Sequence, residues 1–303
     1  MRVCCLKSAR IFLLFVLFFS TFNCAWADAQ RKVILEKRYD ESDDQEIRTY
    51  EDVILDCGKD GKALFTISLP KNIPAEGVPC IVIVGGLMTG RESLKFIPDH
   101  GNYALVAYEY SDTLKKLRKL DVLWNLFSVR KALLEVPPQL IEIVKYLQEK
   151  PWISSDPIDF MGYSFGSIFI PVVYVKAQEE GIKLGPAVMA YGGAGIHCLL
   201  KANLTVPKFL KGPVATMASA LFKPIDPLLY APKMKGNFLI INGIHDSQIP
   251  FECAKRLQDI VPEPKTVINL ETEHMSPENT ELTLRLINIS RQWLEEHHQK
   301  SLQ

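Results

Sequence analysis

The sequence predicts an α/β fold, a doubly wound and mostly parallel sheet of about eight strands flanked by helices. Three observations lead there. Cys80-Ile81-Val82-Ile83-Val84 and residues 103–110 are short, continuous apolar runs, the pattern of strands buried on both faces. Helical periodicity, as over 137–150, alternates with such runs to the end of the chain. Between the apolar run Ile158-Asp159-Phe160-Met161 and Ser167-Ile168-Phe169-Ile170 stands Gly162-Tyr163-Ser164-Phe165-Gly166, a strand-to-helix junction that can turn sharply.

Taken in order, the chain opens on Arg2, Lys7 and Arg10, an apolar run over 11–19, and Ala25-Trp26-Ala27 before Asp28. This is the pattern of an export signal with a small-x-small cleavage site, and the run is short for a bilayer span. A cleaved signal over 1–27, and hence a periplasmic or secreted protein, is expected; an uncleaved anchor is the competing reading. Cys24 does not favour lipoprotein processing, because Asn23 stands where a small residue is usual. Residues 28–45 are polar and are expected to be flexible. Alternation over 47–55 and 62–69 around Gly58-Lys59-Asp60-Gly61 signals a hairpin. After the runs at 80–84 and 103–110, segment 111–134 interrupts the alternation, and a helix follows over 137–150. In the helix after Ser164, Pro171 removes a hydrogen bond and predicts a short or bent element. Strands are expected over 187–191, 237–242 and 266–270, with a second interruption at 195–235 and a last helix from near Glu278. With no repeat and no linker, 46–298 reads as one domain.

The 303 residues hold 35 Lys+Arg and 35 Asp+Glu. Loss of 1–27 removes three basic and no acidic side chains, which leaves 32 against 35. A nearly neutral chain of this length is ample for one large core and argues against nucleic acid as a partner. Three of the seven cysteines lie within 1–27. Cys57, Cys80, Cys198 and Cys253 match no zinc spacing; they are either small buried apolar residues or disulfide partners, with three full pairings open. Segment 111–134 carries Lys115, Lys116, Arg118 and Lys119, then Leu123, Trp124, Leu126 and Phe127. A weak contact of 115–127 with an anionic membrane surface is one reading, and a solvated face beside a buried one is the other. Oligomeric state is not legible.

The chemistry gathers at strand ends. Glycines at 162 and 166 leave room to lift the Ser164 hydroxyl above the sheet, where a base can reach it. Asn237-Phe238-Leu239-Ile240-Ile241-Asn242 is followed by Gly243-Ile244-His245-Asp246, and Thr266-Val267-Ile268-Asn269-Leu270 by Glu271-Thr272-Glu273-His274. A serine, an acid and a histidine, each just beyond a separate strand, are brought to one edge by parallel topology. His100, His197, His245, His297 and His298 do not follow the last strand directly, so His274 is the candidate base. Asp246 is the candidate acid, with the capping of a turn as its structural alternative.

In this order and context the chain resembles the α/β-hydrolase superfamily over about residues 46–298. The resemblance implies a serine hydrolase that needs no metal or organic cofactor. Ser164 is then the nucleophile, His274 the base, Asp246 the orienting acid, and the backbone N–H groups of Leu87 and Phe165 the oxyanion hole. Leu87 lies in Gly85-Gly86-Leu87-Met88-Thr89-Gly90; many family members have a histidine where this chain has Gly85, which leaves the backbone donor intact. The loop and compact plan look like the dienelactone-hydrolase-like and acyl-ester or thioester branches. The first expectation is a carboxylic ester hydrolase acting through an acyl-enzyme on a small-molecule or acyl ester. An acyl thioesterase, a peptidase and a catalytically silent binding module are the alternatives. Segment 195–235 falls where this superfamily often inserts a cap, and its Leu199, Leu200, Phe209, Leu210, Met217, Leu221 and Phe222 are either pocket wall or helix packing. Arg91 and Glu92 either recognise a charged substrate group or exchange charge with their neighbours.

Overall fold

Alternation of side chains along the strands builds the molecule, which is represented here by a computed structural model describing residues 32–42, 47–116, 125–204 and 206–301. The expected export signal over 1–27 lies outside the described residues, as do 117–124 of the basic, aromatic stretch and His298's side chain. The strands are β1 (Val33–Ser42), β2 (Ile47–Asp56), β3 (Lys62–Pro70), β4 (Cys80–Val84), β5 (Ala104–Glu109), β6 (Ile158–Tyr163), β7 (Leu184–Ala190), β8 (Phe238–Gly243) and β9 (Lys265–Leu270). They form one sheet in the order β1-β2-β3-β5-β4-β6-β7-β8-β9. Pairing is antiparallel from β1 through β3 to β5, and parallel from β5 to β9.

In the central strands, successive side chains enter opposite cores. Val82, Val84, Phe160, Met189 and Ile240 face one cluster, while Ile81, Ile83, Met161, Val188 and Leu239 face the other. Both faces are therefore buried, which is why these strands read as unbroken apolar runs. Helices α1 (Leu126–Gln148) and α2 (Ile170–Glu179) cover the first face. Helices α3 (Ile196–Asn203) and α4 (Lys208–Phe222) fall between β7 and β8, α5 (Phe251–Ile260) follows β8, and α6 (Thr280–Ser301) covers the second face through Leu282, Leu286, Ile287 and Leu294.

Three expectations are corrected. The segment 28–45, read as flexible, contains the edge strand β1. Its polar side chains find cross-strand partners: Thr49 Oγ1 donates to Asp40 Oδ1 at 2.8 Å, and the rings of Tyr39 and Tyr50 stack at 5.7 Å. This ninth strand is the excess over the eight expected. The helix expected from 137 begins at Leu126, so Pro137 and Pro138 lie inside α1. Val129, Leu133, Val136, Leu140 and Val144 bury one continuous stripe through the prolines, and that packing outweighs the backbone bonds they remove. Pro171 bends nothing, because a 3₁₀ turn (Ser164–Ile168) intervenes and places it in the first turn of α2, where its missing N–H has no helical partner to lose.

Candidate active site

The turn after β6 is set by close approach. Val84 at the end of β4 pairs with Gly162 in β6, so the chain leaving β6 passes directly over the end of β4. A Cβ on Gly166 would overlap the Val84 carbonyl, and one on Gly162 would stand 2.6 Å from Ile170 Cγ1. Between these glycines Ser164 takes φ 51°, a left-handed conformation that costs about 1–3 kcal/mol in a residue with a Cβ. The strain lifts its hydroxyl off the sheet. Gly166→Ala is expected to destabilise the fold by about 4 kcal/mol or more, since a strand carbonyl has to move. Gly212→Ala, in α4 with nothing within 4 Å, is the control and is expected to be neutral or slightly stabilising. Urea unfolding of the two variants checks this; equal midpoints would refute the steric argument.

The loops after β8 and β9 are laced together, Ile244 N–H to Leu270 O at 2.9 Å and His245 N–H to Thr272 O at 3.1 Å. That register brings Asp246 beside His274. Asp246 Oδ1 accepts the N–H groups of Gln248 (2.7 Å) and Ile249 (2.8 Å), and Oδ2 stands 2.6 Å from His274 Nδ1. A carboxylate oxygen so engaged accepts only, which places the imidazole proton on Nδ1 and leaves Nε2 as the acceptor. His274 Nε2 lies 2.8 Å from Ser164 Oγ. Asp246 is buried, and the three groups form one hydrogen-bonded line. Asp246 thus caps a turn through one carboxylate oxygen and meets the histidine through the other.

The Gly85–Gly90 loop is held by its carbonyls. Tyr110 donates its hydroxyl proton to Gly85 O at 2.8 Å. Gly86 O accepts from Thr89 Oγ1 (3.0 Å), Thr89 N–H (3.1 Å) and Gly90 N–H (3.0 Å). Because a trans peptide points its C=O and N–H in opposite directions, fixing Gly86 O inside the loop turns the Leu87 N–H outward. Among the described residues no turn or loop hydrogen bond uses the N–H of Leu87 or Phe165, and both residues line the same cavity as Ser164 and His274.

That cavity holds about 660 Å³ and is walled mainly by apolar side chains. Leu114, Val129 and Leu133 close one side; Ile196, Leu199, Leu200, Phe222 and Ile225, from the 195–235 insertion, close another. Of the residues expected as pocket wall, Leu199, Leu200 and Phe222 take that place. Phe209, Leu210, Met217 and Leu221 do not line it, because they lie on other faces of α4. Arg91 and Glu92 stay outside the cavity: Arg91 reaches Asp52 (3.4 Å) and Glu109 (3.6 Å), and Glu92 reaches Lys95 (3.3 Å). The other described histidines lie elsewhere. His100 lies between Ser68 Oγ and Leu94 O, His245 beside Glu271, and His297 against Trp293, while His197 is exposed.

Two residues escaped the sequence reading. Tyr191, just past β7, adopts φ 55°, sets its ring edge-on to His274 at 5.6 Å, and shares a 2.6 Å hydrogen bond with Thr272 Oγ1. Burial pushes its phenol above the ordinary range, against the smaller effect of the Thr272 bond. Tyr110, which anchors the Gly85 carbonyl, is likewise pushed well up by burial. Each looked like an ordinary aromatic at a strand end, and no local pattern marks the contact. The open question of cysteine pairing is answered by a disulfide between Cys198 in α3 and Cys253 in α5, with Cys57 and Cys80 free. Among the described residues, the one close grouping of metal-ligating types is Cys198, Glu252 and Cys253, and the disulfide leaves neither sulfur as a thiolate.

Sheet order, the turn at Ser164 and the insertion after β7 define the class: the chain has the α/β-hydrolase fold. No protein-family model and no curated protein sequence matches it. Solved structures do. Acetyl xylan esterase 1 from Thermoanaerobacterium sp. JW/SL YS485 superposes with TM-score 0.61 at 12% identity, over 86% of this chain and 88% of that one. An acetyl xylan esterase from Paenibacillus sp. R4 gives TM-score 0.61 at 15% identity, over 92% and 93%. The acylaminoacyl peptidase of Pyrococcus horikoshii gives 0.55 at 15%, over 87% of this chain but 41% of its own. At these identities the likeness is one of fold.

Proposed function

We propose that the protein is an exported serine hydrolase that cleaves carboxylic esters of an apolar acyl group through an acyl-enzyme. The observation that carries this reading is the line Ser164–His274–Asp246 on the wall of a large apolar cavity. His274 Nε2 takes the Ser164 proton as Oγ attacks the ester carbonyl, and Asp246 holds the imidazolium that results. The N–H groups of Leu87 and Phe165 receive the oxyanion. His274 then returns the proton to the leaving alcohol, and water repeats the sequence to release the acid. An acyl thioester fits the same acyl site and differs only in its leaving group. Export is supported by the 1–27 pattern, and the Cys198–Cys253 disulfide suits an oxidising compartment.

The cavity favours acyl chains longer than acetyl. Each methylene buried contributes about 0.8 kcal/mol, so kcat/KM on p-nitrophenyl esters should rise about fourfold per methylene until the cavity is filled. Leu200→Trp, which occupies cavity space, should cut turnover of the longest good ester about tenfold and leave the acetyl ester within a few-fold. An acetyl ester as the best substrate, or equal loss at all lengths, would count against the acyl-site assignment.

A further inference from the structure

The cavity at Ser164 is not confined to one side of the sheet. Leu133, Phe169, Ile196 and Phe222 line it from the core beneath α1 and α2. Ile83, Ile97, Tyr163 and Ile287 line it from the opposite core beneath α6, joined by Phe96 and Met275, which pack against that second core. A space walled by both cores has to pass around the C-terminal edge of the sheet, so it has two limbs. Ser164 stands where they meet: Tyr163 before it belongs to the second limb, and Phe165 after it packs toward the first. The hydroxyls along the second limb are largely engaged. Tyr163 donates to Met161 Sδ at 3.4 Å, Thr283 to Ser276 O at 3.2 Å, and Ser276 meets Glu278, which leaves the Ser93 hydroxyl, buried and without a partner among the described residues. Among the described residues that line the cavity there is no Lys, Arg, Asp or Glu.

We infer that the second limb receives an apolar leaving group, so that the substrate carries hydrocarbon on both sides of the scissile carbonyl, as in the ester of a fatty acid with an alkyl alcohol. Which limb takes which half follows from the chemistry, given the ester-hydrolase reading on which the assignment rests. Ser164 Oγ bonds to the carbonyl carbon as the bond to the alcohol oxygen breaks; the electron pair leaves with that oxygen, and His274 Nε2 gives it the proton taken from Ser164. The leaving oxygen therefore has to lie against His274. Met275, the next residue, lines the second limb, whereas the 195–235 insertion lines the first. The alcohol thus enters beneath α6, and the acyl chain lies under α3 and α4. A charged or many-hydroxyl alcohol would lose its hydration there without gaining partners, while each methylene of an alkyl alcohol gains by burial.

The test is hydrolysis of hexanoate esters that differ only in the alcohol: ethyl, butyl and hexyl hexanoate, with glyceryl monohexanoate as the polar counterpart. For the wild-type protein kcat/KM should rise about fourfold for each methylene of the alcohol until the limb is filled, and the glyceryl ester should fall at least about tenfold below the butyl ester. Ile287→Phe, which adds bulk to the second limb, should lower the ratio of hexyl to ethyl ester turnover about tenfold, and Ile287→Ala, which enlarges the limb, should move the best alcohol to a longer chain. Leu200→Trp, in the first limb, should shift the preferred acyl length and change that alcohol ratio by less than about twofold. Far-UV circular dichroism and thermal unfolding report whether the variants fold, and the wild-type alcohol series decides by itself if neither Ile287 variant does. A flat alcohol series, a glyceryl ester that is the best of the four, or Ile287 variants that alter acyl rather than alcohol preference would overturn the inference and leave the ester-hydrolase reading standing. A folded wild type that turns over no ester at all would remove that reading, and this inference with it.

Discussion

Ser164→Ala is expected to lower ester turnover by about 10⁴- to 10⁶-fold and to abolish labelling by a fluorophosphonate probe, with the protein still folded. The size follows from what is removed. Oγ is the atom that His274 Nε2 faces at 2.8 Å, and without it the proposed acyl-enzyme and proton relay cannot form. Stability should change little, because alanine at φ 51° bears about the same backbone strain as serine and leaves no cavity in the core. Labelling of the wild type that vanishes in the variant establishes the activated hydroxyl. A wild type that is folded yet unlabelled would favour the binding-module alternative, and a variant within a hundredfold of wild type would place the nucleophile elsewhere.

For Asp246→Asn a fall in kcat of about 10⁴-fold is expected, with KM within a few-fold. The partners of the two carboxylate oxygens explain why. Oδ1 accepts from Gln248 and Ile249, so the amide oxygen of asparagine keeps that place, and the NH₂ group takes the position of Oδ2 opposite His274 Nδ1. A donor there obliges Nδ1 to accept and shifts the imidazole proton to Nε2, which then points a hydrogen at Ser164 and can no longer act as base. The geometry survives and the tautomer is wrong. Activity within tenfold of wild type would rule Asp246 out as the orienting acid.

Local features were the legible ones. The junction around Ser164 could be read because a strand, two glycines and a helix signal stand within a dozen residues, and Asp246 and His274 because each directly follows an apolar run. Parallel connectivity then dictates that such ends meet on one edge, so the chain order of the three residues already contained their neighbourhood. What the local signals could not carry was competition. Pro137 and Pro138 look like a helix start, and only the stripe from Val129 to Val144 against the sheet shows why α1 runs through them. The polar stretch ahead of β2 looks mobile until an unpaired strand edge is there to receive it.

From the sequence alone came the fold class, eight of the nine strands and the identity of the three aligned side chains, because each rests on periodicity or on spacing within one segment. Contacts between distant segments were decided only in the folded molecule. Among them are Tyr191 against His274, Tyr110 under Gly85, Cys198 joined to Cys253, and the division of α4 into a cavity-facing Phe222 and an outward Phe209. The physical reason is that a strand or helix signals which of its residues share a face, but what that face meets is set by the packing of elements far apart in the chain.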